Sequence, residues 1–170
     1  MNETNRLLVF TIEDRRYALH LEAVERVVRA VEVTPLPDIP EIVAGIINVQ
    51  GRIIPAINMR KRFLLKERDL YPSDCFIIAA TPRRTFALTA DAVHGVVECP
   101  AIEFVPAGEI LPIMGPVEGV MTLADGVVLI SDIDRLLSLE GEALDDMLPD
   151  LADLVVTTDE EMAEQGNDLH

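Results

Sequence analysis

The chain has 170 residues, of which 49% are apolar and 4% aromatic, which is enough for the core of one domain or of two small fused ones. Its formal net charge of −16 at pH 7 argues against nucleic acid and anionic membranes as partners. Residues 140–170 hold eleven acids and no Lys or Arg, whereas residues 1–139 hold nineteen acids and fourteen bases, so the tail carries most of the acidity.

The chain begins with a predicted β-hairpin. Residues 7–12 and 17–20 are short apolar runs on either side of a polar turn, a pattern typical of paired strands. Residues 22–28 place three valines at the i, i+3, i+4 spacing of a helix face. We therefore predict a short helix there, although β-branched side chains disfavour it.

A proline-rich loop and a second hairpin follow. Three prolines within residues 34–40 exclude a helix interior or a central strand and predict an extended surface loop. Residues 44–49 and 52–57 are apolar runs that flank Gln50-Gly51, and a two-residue link containing Gly predicts a tight hairpin.

The second half repeats this order of elements. Residues 76–80 and 85–88 are predicted strands, and residues 119–123 and 127–130 are a predicted hairpin about a glycine turn. Ser131 is placed to act as the N-cap of a short helix.

Short sequence blocks also recur in the two halves. Tyr-Ala-Leu at 17–19 returns as Phe-Ala-Leu at 86–88, and Val-x-Gly-Ile-Ile at 43–47 returns as Val-x-Gly-Val-Met at 117–121. Blocks that recur in the same order indicate a duplicated unit.

We infer an internal duplication that relates residues 7–63 to residues 76–137. On this interpretation the two halves superpose as barrels, and Gly45 and Gly119 occupy equivalent strand positions.

The acidic tail, residues 140–170, contains an apolar stripe. Pro149 interrupts its helical spacing, so we predict two short helices or a kink. Because short isolated helices are marginal in water, the stripe is expected to dock on the body or on a partner. It consists of Leu144, Met147, Leu148, Leu151 and Leu154.

Chemistry-bearing motifs are missing from the sequence. His20, His94 and His170 are scattered, and Cys75 and Cys99 form neither a metal-ligand spacing nor a disulfide framework. The sequence has no glycine-rich phosphate loop and no nucleophile elbow. We therefore expect no catalytic residues, no metal and no cofactor. With neither a leader-like N-terminus nor a membrane-length apolar run, we expect a cytoplasmic protein.

The bases of the body cluster at Arg52, Arg60-Lys61-Arg62, Lys66 and Arg68. Two interpretations stay open: a solvated rim, or a patch complementary to an acidic partner surface. In a variant of the second, the acidic tail itself covers the patch.

Residues 34–63 carry the densest pattern, with Thr-Pro-Leu-Pro at 34–37, Val-x-Gly-Ile-Ile-Asn at 43–48, Gly-x-Ile-Ile-Pro-x-Ile at 51–57 and Arg-x-x-Phe at 60–63. This pattern resembles the signature of the CheW family, the adaptor proteins of bacterial chemotaxis arrays. The first hairpin, the closing hairpin and the helix after it resemble the family as well. The resemblance covers residues 6–139 as one domain and leaves the tail, 140–170, outside it.

The resemblance implies a mainly β fold of two packed five-stranded SH3-like barrels with short helices, which the helical acidic tail would follow. It implies a non-enzymatic adaptor that couples the cytoplasmic tip of a chemoreceptor to the regulatory domain of a histidine kinase, at the inner face of the membrane. We expect an apolar strip and the neighbouring hairpin rim to bind these partners, through Val24, Arg26, Val27, Val28, Gly45, Asn48, Gln50, Gly51, Arg52 and Arg60.

Three positions depart from the family pattern. Gln50 stands where the family usually has Arg, Arg26 stands where it often has Glu, and Asn58 replaces an Asp. A charge change at a rim alters partner choice more than fold. An alternative is therefore a regulatory domain that acts in a divergent pathway through altered partners. A small-molecule-binding β module would need a pocket with convergent polar groups, and the sequence shows none.

Overall fold

The computed structural model describes residues 4–111, 115–139 and 142–148. Its strands are β1 (Thr4–Ile12), β2 (Arg15–His20), β3 (Val24–Arg29), β4 (Val43–Val49), β5 (Arg52–Ile57), β6 (Cys75–Ala80), β7 (Thr85–Ala90), β8 (Ala92–Pro100), β9 (Phe104–Pro106), β10 (Val117–Leu123), β11 (Gly126–Ser131), β12 (Ser138–Leu139) and β13 (Glu142–Ala143). Its helices are α1 (Met59–Arg62), α2 (Ala107–Ile110), α3 (Ile133–Leu136) and α4 (Leu144–Met147), with 3-10 turns at Leu21–Ala23 and Ala101–Glu103.

The described strands form two main sheets. The six-stranded sheet has the order β8-β1-β2-β11-β10-β9, and the five-stranded sheet has the order β3-β6-β7-β5-β4. The prediction of a mainly β fold with short helices is confirmed. The six-stranded sheet gains its sixth strand because β9, only three residues long, pairs with β10. None of the helices in the described ranges is long and apolar enough to cross a lipid bilayer.

Each half of the chain lends its first hairpin to the other half. The β1–β2 hairpin pairs with β8 and β11, and the β6–β7 hairpin pairs with β3 and β5. Residues 7–63 and 76–137 therefore do not each form a separate barrel. Both main sheets contain strands of both halves, and the exchange links them.

This exchange explains the repeated tripeptides at 17–19 and 86–88. Ala18 packs inside the six-stranded sheet and Ala87 inside the five-stranded sheet. The flanking aromatic and leucine side chains point the other way, into a third core between the two sheets. Successive side chains of a strand face opposite sides, so each tripeptide contributes to two cores.

Gly45 and Gly119 occupy equivalent positions, each immediately after a register shift in its strand. A Cβ added at Gly45 would lie 2.1 Å from the carbonyl oxygen of Thr34, and one added at Gly119 would lie 2.4 Å from the ring of Phe104. Thr34 forms an isolated bridge to β4, and Phe104 begins β9. In both halves a returning segment thus crosses a glycine, where only a missing side chain leaves room.

Two local predictions are wrong. Residues 22–28 form the end of a 3-10 turn and then β3, because pairing with β6 outweighs the helical spacing of the valines. Ser131 is the last residue of β11 and does not cap a helix, since α3 begins at Ile133 with Asp132 at its N-cap position.

The root of the tail packs on the body. Leu144 is 0% exposed in the core between the sheets, and its backbone N–H donates to the carbonyl oxygen of Leu137 over 2.7 Å. Leu148 packs against the same core while remaining partly exposed. These two leucines dock as the apolar stripe predicts. Met147, at the end of α4, is 39% exposed and does not dock. Leu151, Leu154 and the kink at Pro149 lie outside the described residues.

Candidate partner-binding site

The predicted site residues separate into an exposed group and a buried group. The exposed or half-buried group lies on β3 and on the β4–β5 turn, and it contains Val24, Arg26, Val27, Val28, Asn48, Gln50, Gly51 and Arg52. Gly45 and Arg60 are buried and belong to the interior. The structure thus brings eight of the ten predicted residues to one region.

The β4–β5 turn is held by its own side chain. Gln50 and Gly51 both have positive φ, 51° and 88°, as the tight hairpins that suit strand twist require. Oδ1 of Asn48 accepts a hydrogen bond from the backbone N–H of Gly51 over 2.8 Å. This bond fixes the turn and presents the Gln50 side chain to solvent.

Arg26 and Gln50 contact each other across the opening of the five-stranded sheet. Nη1 of Arg26 donates to Oε1 of Gln50 over 3.2 Å. β3 and β4 are the two edge strands of that sheet, so the contact joins its edges. The two departures from the family pattern are thus in direct contact.

Arg52 makes a second connection between the same elements. Its Nη1 donates to Oε2 of Glu25 over 2.9 Å, and its Nη2 donates to Oγ1 of Thr85 over 3.0 Å. The hydrogen bond from Arg52 lowers the pKa of the Glu25 carboxyl. Glu25 and Thr85 were not predicted as site residues, because they lie 27 and 33 residues from Arg52 and nothing in the sequence signals the contact.

A β-bulge at Glu25 sets the direction of the valines. Val24 and Val27 lie opposite Ala79 and Ile77, whose side chains enter the core between the sheets. Val28 packs on the opposite face, inside the five-stranded sheet. The predicted strip therefore consists of Val24 and Val27, the latter 37% exposed, and does not include Val28.

Arg60 serves the interior, where it joins three segments of the chain. It is 7% exposed, it pairs with Glu13 in the β1–β2 turn, and its Nη2 lies 2.8 Å from both carboxylate oxygens of Asp91. Its Nη1 also donates to the carbonyl oxygen of Lys66 over 3.1 Å. These contacts occupy the guanidinium, so Arg60 does not contribute to an accessible surface.

Two further arginines of the predicted basic cluster are also used within the protein. Arg62 donates to the carbonyl oxygens of Leu136, Arg135 and Ser138 at the end of α3, and burial lowers its pKa. Nη1 of Arg68 lies 2.8 Å from Oδ2 of Asp74. Arg60, Arg62 and Arg68 are therefore engaged in tertiary contacts, whereas Arg52 and Lys66 remain exposed.

The hydrogen bonds to the Asp74 carboxylate are strong enough to change its pKa. Burial opposes ionisation of its carboxyl, but hydrogen bonds from Arg68 and from the backbone N–H of Tyr71 outweigh it, and its pKa lies below the ordinary value.

Asn58, the third departure, is a capping residue: its side chain accepts from the backbone N–H of Lys61 at the start of α1 over 3.1 Å. An Asp at this position could accept the same bond.

A groove of about 980 Å³ lies beside Tyr17 and Phe63. The two rings stack with centroids 4.2 Å apart, so its wall is apolar. Of its cations, Lys61 pairs with Glu67 at 3.8 Å and Arg62 is held by carbonyls. Arg15 and Glu41 also line the groove, so charged side chains lie around its apolar wall.

In the ranges that the structure covers, no three His, Cys, Asp or Glu side chains are grouped so as to hold a metal ion. His20 instead lies 3.1 Å from Oε2 of Glu118, and His94 lies 3.1 Å from Oγ1 of Thr11.

Comparison with known proteins decides the family. The sequence model of the CheW-like domain matches residues 6–141. The chain belongs to the CheW-like domain family.

Individual CheW proteins are similar over most of their length. The chemotaxis protein CheW of Klebsiella aerogenes is 26% identical over 141 residues, which cover 82% of this chain and 85% of that protein. The CheW of Treponema pallidum is 26% identical over 143 residues, covering 81% and 84%. The crystal structure of the scaffolding protein TtCheW from Thermoanaerobacter tengcongensis superposes with a TM-score of 0.73 at 29% identity, covering 83% of this chain and 97% of that one.

Proposed function

We propose that this CheW-like protein is a non-enzymatic adaptor that couples the cytoplasmic tip of a chemoreceptor to the regulatory domain of a histidine kinase. Its place would be in the cytoplasm, at the inner face of the membrane, through the receptor array. The family and the scaffolding function named for TtCheW support this proposal.

The observation that carries the proposal is the surface around β3. Val24 and Val27 form an apolar strip, and the Arg26–Gln50 and Arg52–Glu25 contacts form a polar rim beside it. An apolar strip with a polar rim is what a helix of a partner protein requires. A receptor tip that presents a helix with apolar side chains at i and i+4 fits such a strip.

Co-purification tests the proposal. A receptor cytoplasmic tip and a kinase regulatory domain from the same cell should each retain the purified chain. Val27→Glu should weaken retention by the receptor tip at least tenfold, because it places a charge in the apolar strip. Val127→Glu is the matched control, since Val127 is also exposed but lies on β11 of the other sheet. Equal retention of both variants would contradict the site.

A second candidate function is regulation in a divergent pathway through altered partners. The Arg26–Gln50 contact favours it, because the rim has a cation at position 26, where the family often has Glu. The double variant Arg26→Glu, Gln50→Arg restores the common arrangement. If it binds receptor tips of common chemotaxis arrays several-fold more tightly than the parent, the parent has altered partners. If its affinity is unchanged, the rim does not select them.

A further inference from the structure

The bulge in β3 decides which side chains the apolar strip presents. Glu25 is an extra residue in this strand, because its two neighbours lie opposite the consecutive residues Ala79 and Ile78 of β6. Without the bulge, the rest of β3 would slip by one residue and each following side chain would face the other side. Arg26 would then take the place of Val27 on the strip, and Val27 would face the inside of the five-stranded sheet. The apolar character of the strip therefore depends on the bulge.

The sheet itself supports this bulge from one side. β3 is an edge strand, and among the described strands it pairs with β6 alone. A bulge also leaves its extra residue outside the ladder of backbone hydrogen bonds. Contacts of the Glu25 side chain are therefore placed to fix the bulge where backbone pairing does not.

The Glu25 side chain is held by two residues from other strands of the same sheet. Its Oε2 accepts a hydrogen bond from Nη1 of Arg52 over 2.9 Å, and its Oε1 accepts one from Oγ1 of Thr85 over 3.3 Å. Nη2 of Arg52 also donates to Oγ1 of Thr85 over 3.0 Å. Each of these three side chains thus contacts the other two, and they lie on β3, β5 and β7. We call Glu25, Arg52 and Thr85 the bulge clamp.

The geometry of the bulge clamp depends on its residue types. The planar guanidinium of Arg52 reaches Glu25 with one terminal nitrogen and Thr85 with the other, whereas a lysine offers a single point charge. The Thr85 hydroxyl accepts one hydrogen bond and donates another, so it completes the ring of contacts. The hydrogen bond from Arg52 is also the main reason why the pKa of the Glu25 carboxyl is lowered, which keeps the carboxylate ionised.

We propose that the bulge clamp holds β3 in the register that presents Val24 and Val27 to a partner helix. Glu25 and Thr85 are then positioning residues, which act on the partner through the strip. The side chains of Arg52 and Glu25 are 50% and 36% exposed, so each contact is weak and loss of the clamp should change affinity several-fold. The inference rests on the proposed function, because it concerns the same strip.

The first test measures the free chain. Thr85→Val keeps the shape of the side chain and removes its hydroxyl, so the amides of residues 24–28 should exchange with deuterium about three- to tenfold faster than in the parent. Thr85→Ser keeps the hydroxyl and should match the parent. Arg52→Lys keeps the charge without the fork; it should resemble Thr85→Val, and the pKa of the Glu25 carboxyl should rise toward its ordinary value of 4.5. Unchanged exchange in both Thr85→Val and Arg52→Lys would overturn the proposal.

The second test measures binding of a receptor cytoplasmic tip. Thr85→Val should weaken binding about fivefold although Val24 and Val27 are intact, and Thr85→Ser should restore it. Thr122→Val is the matched control, since Thr122 is exposed on β10 of the other sheet, and it should bind like the parent. Equal affinity of the parent and Thr85→Val would overturn the positioning role. If the tip does not bind the parent, the proposed function fails, and the amide exchange of the free chain still decides whether the clamp holds the bulge.

Discussion

Nη1 of Arg26 donates a hydrogen bond to Oε1 of Gln50 over 3.2 Å, although the two residues are 24 positions apart. In the family pattern, position 26 often carries a Glu and position 50 usually carries an Arg. In this chain residue 26 is the donor and residue 50 is the acceptor, so donor and acceptor have changed places. A pair of either polarity can join β3 to the β4–β5 turn. The two departures meet in one contact, and relative to the family pattern the pair gains one unit of positive charge, because the change at position 26 adds two units and the change at position 50 removes one.

This relationship predicts coupled effects on stability. Gln50→Arg alone places two guanidinium groups together and should lower the free energy of unfolding by a few tenths of a kcal/mol, whereas in the Arg26→Glu background it should raise it. We expect a coupling energy of about 0.5–1 kcal/mol at low salt, from urea unfolding of the four proteins of the cycle. Strictly additive effects would show that the two side chains act independently.

Gly45 should tolerate no side chain. Gly45→Ala puts a Cβ 2.1 Å from a backbone oxygen at φ 150°, so we expect a loss of about 3 kcal/mol or more in the free energy of unfolding. Gly108→Ala is the control, because nothing lies within 4 Å of its added Cβ and Ala favours helix α2. The control should be neutral or slightly stabilising. A comparable loss for both variants would mean that the crossing of Thr34 over β4 is not the cause.

Removal of the Arg60 guanidinium should be costly. Arg60→Met removes the buried guanidinium that pairs with Glu13 and Asp91, while Asp91 keeps Arg68 at 3.0 Å. Because both carboxylates are partly exposed, we expect a loss toward the lower end of the about 3–5 kcal/mol that breaking a buried pair costs. Lys61→Met, which removes the neighbouring and more exposed pair with Glu67, should cost less than about 1 kcal/mol. Thermal and urea unfolding of both variants measure the difference. Similar small losses would assign Arg60 to the surface after all.

Asp74 should make stability depend on acid pH. Its pKa is lowered in the folded protein from the ordinary value of 3.8, so its stabilising effect is complete above that value and is lost as the pH falls through the folded pKa. Asp74→Asn should therefore be about 1–2 kcal/mol less stable than the parent at pH 7. The gap should narrow below about pH 4, where the unfolded chain begins to take up the proton. A gap that stays constant from pH 7 to pH 3 would be contrary to this assignment.

The start of the tail should be part of the folded body. Leu144→Ala removes a fully buried side chain from the core between the sheets and should cost about 2–5 kcal/mol. Met147→Ala, at an exposed position of the same helix, should cost less than about 0.5 kcal/mol. A chain that ends at Leu139 should accordingly be less stable than one that ends at Leu148. Equal unfolding midpoints would place the tail outside the body.

Local signals in the sequence predicted the hairpins but could not predict their pairing. The turn at Gln50-Gly51 is set by neighbouring residues, and so its position was correct. The exchange of hairpins depends on contacts between distant strands, such as Phe76 with Val28, and no local pattern encodes them. The repeat was visible, but a repeat by itself does not tell whether two copies fold separately or share strands.

The candidate site was only partly predictable, because many of its contacts join residues that are far apart in the sequence. In a regular strand, residues three positions apart face opposite sides. The bulge at Glu25 adds one residue to β3, so Val24 and Val27 face the same side, as residues at i and i+3 of a helix would. Arg60 was predicted as a surface residue because its partners, Glu13 and Asp91, lie 47 and 31 residues away. Charge in a sequence shows that a pair is possible; only the fold shows which charges are already used.

The adaptor function is tested most directly by a bridging measurement. A receptor cytoplasmic tip is fixed on a sensor surface, and a kinase regulatory domain is passed over it with and without the full-length chain. We expect the kinase domain to be retained only when the chain is present, and we expect Val27→Glu to abolish this retention while Val127→Glu preserves it. Kinase retention that is the same with and without the chain would contradict the adaptor function.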